Sequence, residues 1–349
     1  MEPTQVIGRH GAALWKPADN GAVDCFLCEH RCHIAVGKRG ICRVRQNASG
    51  ELVTLVYGRL IAQHVDPIEK KPLFHFLPGS ESYSVAAVGC NFQCGFCQNW
   101  QISQAPRAAA GEMPGDPAQP EAIVDAAQRH RCASISYTYT EPTIFYEMAR
   151  DTARLARGRG LKNVFVTNGF MTPEAILEMA EWLDAANVDL KSWQDSFYRQ
   201  VCKGRLEPVK ASIRLLYERG VHVEVTTLLV TGRNDSAEDL KGIAGFLADI
   251  SSDLPWHVTR YHPDFEMTEP PATPLEKLGE AVAIGRAAGL QYVYAGNIAG
   301  SQNTVCPSCG SVVVERQGLS ARLVNLRGAA CGGCGAVLPI ILSSDAPGR

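Results

Sequence analysis

The sequence predicts an α/β protein whose centre is a parallel (β/α) barrel, whole or partial, with a small cysteine-rich region before it and a second cysteine-rich module after it. Three observations carry this. Between Tyr83 and Ile298, β-branched runs alternate with stretches of helical period, the pattern of a parallel sheet with right-handed crossovers. Polar residues collect where the strands end, at Cys90, Glu141, Asn168, Asp189 to Lys191 and His262, on the face where such barrels build sites. Eleven of the 13 cysteines fall into three groups, one before the alternation, one inside it and one after it.

The strands expected are SYSVAAVG near 82–89, ASISYTYT (133–140), NVFVTNG (163–169), ANVDLK (186–191), VHVEVTTLLV (221–230), WHVTRYHP (256–263) and YVYAGNI (292–298). Between them lie the helices PEAIVDAAQRH, PTIFYEMARDTARLARGRG, TPEAILEMAEWLDA, LEPVKASIRLLYERG, DSAEDLKGIAGFLADI and PLEKLGEAVAIGRAAG. Thr172-Pro173 and Asp235-Ser236 before Glu238-Asp239 are helix starts, and Gly160, Gly220 and Gly289 are helix stops. Residues 1–80 read as an N-terminal metal-binding region, 81–300 as the barrel and 301–349 as a C-terminal module in which VVVERQG and ARLVNLRG form short strands.

The chain has 349 residues, 46% hydrophobic and 20% charged, ordinary for a globular protein of about two domains. No run approaches the ~18 apolar residues of a membrane span, and the start lacks the form of a secretory signal. The expectation is a cytoplasmic protein without a membrane partner. Thirty-four Lys and Arg against 36 Asp and Glu give a charge of -2, which counts against a nucleic-acid partner. Thiols in a reducing compartment cluster to bind metal more often than to pair.

Cys90-x3-Cys94-x2-Cys97 lies in a loop after a buried strand, with Phe96 before the last cysteine. Three thiolates on a four-iron cubane leave one iron open to another ligand, whereas a structural zinc needs four protein ligands and a redox pair only two. GCNFQCGFCQN resembles the cluster loop of the radical S-adenosylmethionine (SAM) enzymes. With DPIEKKPLFHFLPGS, YTYTEPTIFYE, VTNGFMT, NVDLKS and WHVTRYHPD, the chain is similar to the AmmeMemoRadiSam-system radical SAM enzymes, relatives of the pyruvate formate-lyase activating enzymes. The likeness runs from about Cys25 through Cys334.

That resemblance implies a barrel of the radical SAM type. It implies a [4Fe-4S] cluster on Cys90, Cys94 and Cys97, with SAM on the open iron, cleaved to methionine and a 5'-deoxyadenosyl radical that abstracts hydrogen. Thr140 and Glu141 take the place of the turn that meets the SAM amino group. Read without the resemblance, Glu141 is a helix N-terminal carboxylate that favours the dipole. Asn168 ends the third strand, Lys191 is expected at the SAM carboxylate, Asp189 and Thr167 at a monovalent cation, and His262 near SAM. Read from the residues alone, Asp189 and Lys191 are a strand-end ion pair and His262 a hydrogen-bonded structural residue. The implied partners are a one-electron donor such as flavodoxin or ferredoxin and an unidentified substrate, with a protein among the candidates.

Cys306-x2-Cys309-x21-Cys331-x2-Cys334, with Gly310 and Gly335 after the pairs, has the form of a zinc ribbon. Cys25, Cys28, Cys32 and Cys42 offer four more thiolates, for zinc or a second iron-sulfur cluster, and His30 and His33 add nitrogen ligands that suit zinc. Cys132 reads as a packing residue. Cys202 reads as a buried thiol or, with Lys203 favouring its thiolate, as a hydrogen donor in catalysis. Two other functions compete: a glycyl-radical-enzyme activase, and a metal-dependent nucleic-acid-binding protein using the ribbon and the basic segment around Arg39.

Overall fold

The computed structural model describes residues 10–108 and 112–342. Its centre is an eight-stranded sheet. Strand β1 (Ala62–Pro67) runs antiparallel to β2 (Glu81–Ala86), and β3 (Ser134–Tyr137), β4 (Lys162–Thr167), β5 (Ala185–Asp189), β6 (His222–Leu229), β7 (Trp256–Arg260) and β8 (Val293–Gly296) follow in parallel, in chain order. Helices α1 (Pro120–Arg129), α2 (Tyr146–Gly158), α3 (Pro173–Met179), α4 (Leu206–Glu218), α5 (Ala237–Ile250) and α6 (Leu275–Ala287) make the six crossovers. All seven strands and all six helices expected from the sequence are present. Strand β1 is additional, and it comes from the segment read as part of the N-terminal region.

The local chemistry is as expected at the helix starts. Thr172 Oγ1 accepts from the Ala175 amide at 3.2 Å and Ser236 Oγ from Asp239 at 3.1 Å. Helix α3 differs: it ends at Met179, not at Ala185 as the pattern implied. Trp182 turns inward against Phe165 and Tyr146, and Asp184 holds the start of β4 by accepting from the Asn163 amide at 2.8 Å. Tertiary packing has overridden helical periodicity there.

Among the described residues, β1 and β8 pair with no further strand on their outer edges, so the sheet stays open between them. Two segments fill the gap. Phe74, in the connection from β1 to β2, packs on Tyr294 and His257 with ring centroids 4.8 and 4.7 Å apart. From the C-terminal module, Arg316 lies 4.2 Å over the Phe74 ring, donates to the Phe74 carbonyl, and donates to Thr304 Oγ1 at 2.6 Å. Buried Glu224 on β6 accepts from the amides of Phe74 and His75 at 3.0 and 2.7 Å and from His257 Nε2 at 2.6 Å. A carboxylate taking several donors is stable in the interior.

Burial draws the His75 imidazole down to about 3, so the folded chain keeps it neutral where an unfolded chain would protonate it. Stability is therefore expected to be complete above pH ~6.5 and to fall as the pH drops toward 3. Urea titrations between pH 7 and 4 should show this slope, and His75→Gln should flatten it.

The N-terminal region forms two small antiparallel sheets, Trp15–Pro17 with Val23–Cys25 and His33–Ile34, and His10–Gly11 with Glu51–Thr54 and Arg45–Ala48; Cys25 lies on the first, and Cys28, Cys32 and Cys42 lie in the connections. The C-terminal module is a three-stranded sheet (Thr304–Val305, Val312–Gln317, Ser320–Leu323) with a short pair, Leu326–Arg327 and Ala330–Cys331, the form expected of a zinc ribbon. No helix of the described residues is long and apolar enough to cross a membrane.

Candidate functional site

The carboxyl ends of the parallel strands face a cavity of about 870 Å³. Cys90, Cys94, Cys97, Thr140, Glu141, Asn168, Asp189 and Lys191 all line it, so strand-end positions spread over a hundred residues converge there. Two smaller hollows, of about 540 and 620 Å³, lie beside Glu29 and Arg205 and hold none of the cysteines.

The cysteine loop follows β2 and is held from both sides. The amides of Gln93 and Gly95 donate to the carbonyls of Cys202 and Val201 at 2.9 and 3.3 Å. Donors already face the sulfurs: the Phe92 amide lies 3.3 Å and Asn168 Nδ2 3.7 Å from Cys90 Sγ, and Ser103 Oγ lies 3.3 Å from Cys97 Sγ. Burial pushes the Cys90 and Cys97 thiols up. A hydrogen bond from Cys202 draws Cys94 down, helped by the Lys191 ammonium. Buried thiols surrounded by N-H and O-H donors fit a group that binds thiolates and brings its own positive charge.

Glu141 is almost completely buried and takes the helix N-terminal position read from the residues alone. As the N-cap of the 3-10 turn Pro142–Phe145 it accepts from the Thr143 amide at 3.0 Å. Its carboxylate also accepts from Thr167 Oγ1 at 2.7 Å and from the Asn168 amide at 2.8 Å, and burial still pushes it up. Thr140 Oγ1 donates to the Ala87 carbonyl at 2.7 Å. Asn168 bridges to Asn91 Oδ1 of the cysteine loop at 2.7 Å, which ties the end of β4 to that loop.

Lys191 Nζ lies 2.8 Å from Asp189 Oδ2 and 5.6 Å from the centre of the Phe96 ring. Burial opposes its charge, but Asp189 and the thiols of Cys94 and Cys202 hold the ammonium well above the ordinary lysine range. The ion pair is therefore present, at the cavity wall. The two groups expected at a monovalent cation are already engaged, Thr167 with Glu141 and Asp189 with Lys191.

Two expected site residues stand apart. His262 is exposed at the rim, accepts from the Gln98 amide at 3.0 Å, and is not part of the cavity lining. Cys202 is wholly buried at the end of a π-helical turn, Tyr198–Cys202, behind the cysteine loop and outside the lining. Lys203 turns away and donates to the Gln200 carbonyl at 2.8 Å, so it does not activate that thiol.

The same cavity is also lined by residues that the sequence did not mark as functional: Glu69, Lys70, Lys71, Tyr139, Asn187 and His257, with the Gly318-Leu319 turn of the C-terminal module. DPIEKKPLFHFLPGS carried part of this signal, but its charges gain meaning only once β1 pairs with β2.

The four C-terminal sulfurs lie within 4.8 Å of one another, with Cys306 to Cys334 and Cys309 to Cys331 both 3.6 Å apart. Tetrahedral thiolates around one ion need about that spacing, so this group can hold a metal. Burial, and to a smaller extent the neighbouring thiols of the group, push the thiols of Cys28, Cys32 and Cys42 up. Arg45 Nη1 donates to Cys25 Sγ at 3.2 Å. The histidines expected to suit zinc there have other partners: His30 Nε2 donates to the Asn91 carbonyl at 2.8 Å, and His33 pairs with Asp24 at 2.7 Å.

Residues 84–247 match the family described as the Radical SAM superfamily. The chain is 42% identical over 336 residues to "Uncharacterized protein MJ0808" of Methanocaldococcus jannaschii, covering 95% of this chain and 99% of that protein. Among solved structures, a radical SAM methyltransferase from Sphaerobacter thermophilus superposes with a TM-score of 0.50 at 17% identity, over 82% of this chain and 76% of that one. A domain of pyruvate-formate lyase-activating enzyme from Bacteroides vulgatus gives 0.42 at 19% identity, over 47% of this chain and 99% of that one. At these identities the likeness to the solved structures is one of fold.

Proposed function

The chain belongs to the radical SAM superfamily and is an enzyme, and from that premise we propose that it cleaves SAM reductively at the cavity described above. The observation that carries this is the convergence of Cys90, Cys94 and Cys97 with Glu141 and Lys191 on one cavity. The three thiols would hold a [4Fe-4S] cluster, which with SAM supplies a 5'-deoxyadenosyl radical and methionine. The residues of the chain do the rest. Glu141 and the carbonyls beside it offer acceptors to an amino group. Lys191 offers a charge to a carboxylate. Asn168 fixes the cysteine loop, and the buried walls keep water and stray hydrogens away. His262, at the rim, would act only at the entrance, and Cys202 would support the loop from behind.

Within the superfamily, the motifs from DPIEKKPLFHFLPGS to WHVTRYHPD favour the AmmeMemoRadiSam-system enzymes. A flavodoxin or ferredoxin would supply the electron. The C-terminal thiols would hold structural zinc. The N-terminal four would hold a second metal, as zinc or as a cluster, on thiolates alone.

Anaerobically reconstituted protein, given a low-potential reductant and SAM, is expected to form 5'-deoxyadenosine and methionine in equal amounts. Failure to form either, with the cluster assembled, would overturn the proposal. Lys191→Met is expected to weaken SAM binding by about 1.5–3 kcal/mol, the worth of a hydrogen bond to a charged group, with the iron content unchanged. Equal affinity would return Lys191 to a purely structural ion pair.

A further inference from the structure

The cavity is also lined by a buried amine that the proposed SAM chemistry does not use. Lys71 is 2% exposed and lines the cavity. Its Nζ donates to Asp66 Oδ2 at 2.7 Å and to Ser84 Oγ at 2.5 Å. Asp66 also takes Lys70 Nζ at 2.8 Å and the Tyr139 hydroxyl. One carboxylate therefore serves two ammonium groups, and both lie over the same Tyr139 ring, at 5.7 Å for Lys70 and 5.3 Å for Lys71. A desolvated lysine beside a second cation is how a protein makes an amine nucleophilic near neutral pH. Lys70, half exposed and also at the cavity, is left as a positive charge with only a share in Asp66.

We propose that Lys71 is a carbonyl-binding amine, condensing through Nζ with an aldehyde or ketone substrate whose anionic group pairs with Lys70. This deepens the reading above by giving the substrate a chemical class. An Nζ-C bond forms, the carbonyl C-O bond breaks, and the ammonium and the carbonyl compound become a protonated imine and water. No electron is gained or lost. Two of the three ammonium protons pass, one on addition and one on dehydration, through Asp66, Ser84 or Tyr139 to the departing oxygen, and the iminium charge that remains stays opposite Asp66. Burial, with Lys70 adding to it, draws Lys71 down to about 8 against the pull of Asp66. The charged and titratable groups that act on it are Asp66, Lys70, Glu81 and Tyr139.

The test needs neither SAM nor reductant for the cluster. Metal-replete full-length protein is incubated at pH 7 with glyoxylate or with acetaldehyde, trapped with cyanoborohydride, and mapped by peptide mass spectrometry. Lys71, held in its buried cradle beside a second cation, should be alkylated about tenfold or more faster than exposed Lys38 and Lys241. Glyoxylate should outpace acetaldehyde. Lys71→Arg should remove the fast label, and Lys70→Met should keep it while losing the preference for glyoxylate. Labelling of Lys71 no faster than Lys38 would overturn the proposal, and that comparison stands on the unmutated protein even if a variant fails to fold. Formation of 5'-deoxyadenosine is measured separately, so either reading can fail without the other.

Discussion

Cys94→Ala protein, reconstituted anaerobically, is expected to lose the iron-sulfur absorption of the barrel site and all 5'-deoxyadenosine formation. The thiol is buried in the middle of the cysteine loop, and a cluster held by three protein ligands has no spare. Alanine fills most of the volume, so the fold should survive, and metal binding by the four C-terminal sulfurs should be unchanged because they form their own closed group. Residual cleavage at the level of the unmutated enzyme would show that Cys90, Cys94 and Cys97 are not the ligands.

The second large effect is on stability. Arg45 and Glu147 form a buried ion pair between the N-terminal region and α2. The same guanidinium donates to the Ala13 carbonyl at 3.0 Å and to Cys25 Sγ at 3.2 Å, while Glu147 accepts from the Ala13 amide at 2.8 Å. Arg45→Met leaves a carboxylate in the interior without its counter-charge, at a cost of about 3–5 kcal/mol. Urea denaturation should show the loss, and Arg45→Met with Glu147→Leu should recover most of it, since a packed apolar pair replaces an ion pair at little cost. A single variant as stable as the parent would mean that the N-terminal region is not docked through this pair.

The parallel strands and their helices were legible in the sequence because each is a local pattern, a β-branched run or a periodic stretch with a capping residue. The thiols and strand-end residues were legible because ligand spacing and strand ends are local as well. Strand β1 was not. AQHVDP faces mostly outward at the sheet edge, carries no alternation, and becomes a strand only by pairing with β2. The rest of the cavity lining was hidden for the same reason. Glu224 meets the amides of Phe74 and His75 across about 150 residues, and Arg316 reaches Phe74 from the other end of the chain. The positions of His262 and Cys202 show the converse limit. Both lie within a few residues of the site in sequence or space, yet one stops at the rim and the other behind the loop.

The central claim is that SAM binds directly at a cluster held by Cys90, Cys94 and Cys97. Electron paramagnetic resonance of the reduced protein, recorded before and after adding SAM, tests it most directly. The account predicts a [4Fe-4S] signal whose shape and g-values change with SAM, because the ligand enters at the iron that lacks a protein thiolate. A cluster signal indifferent to saturating SAM would contradict it.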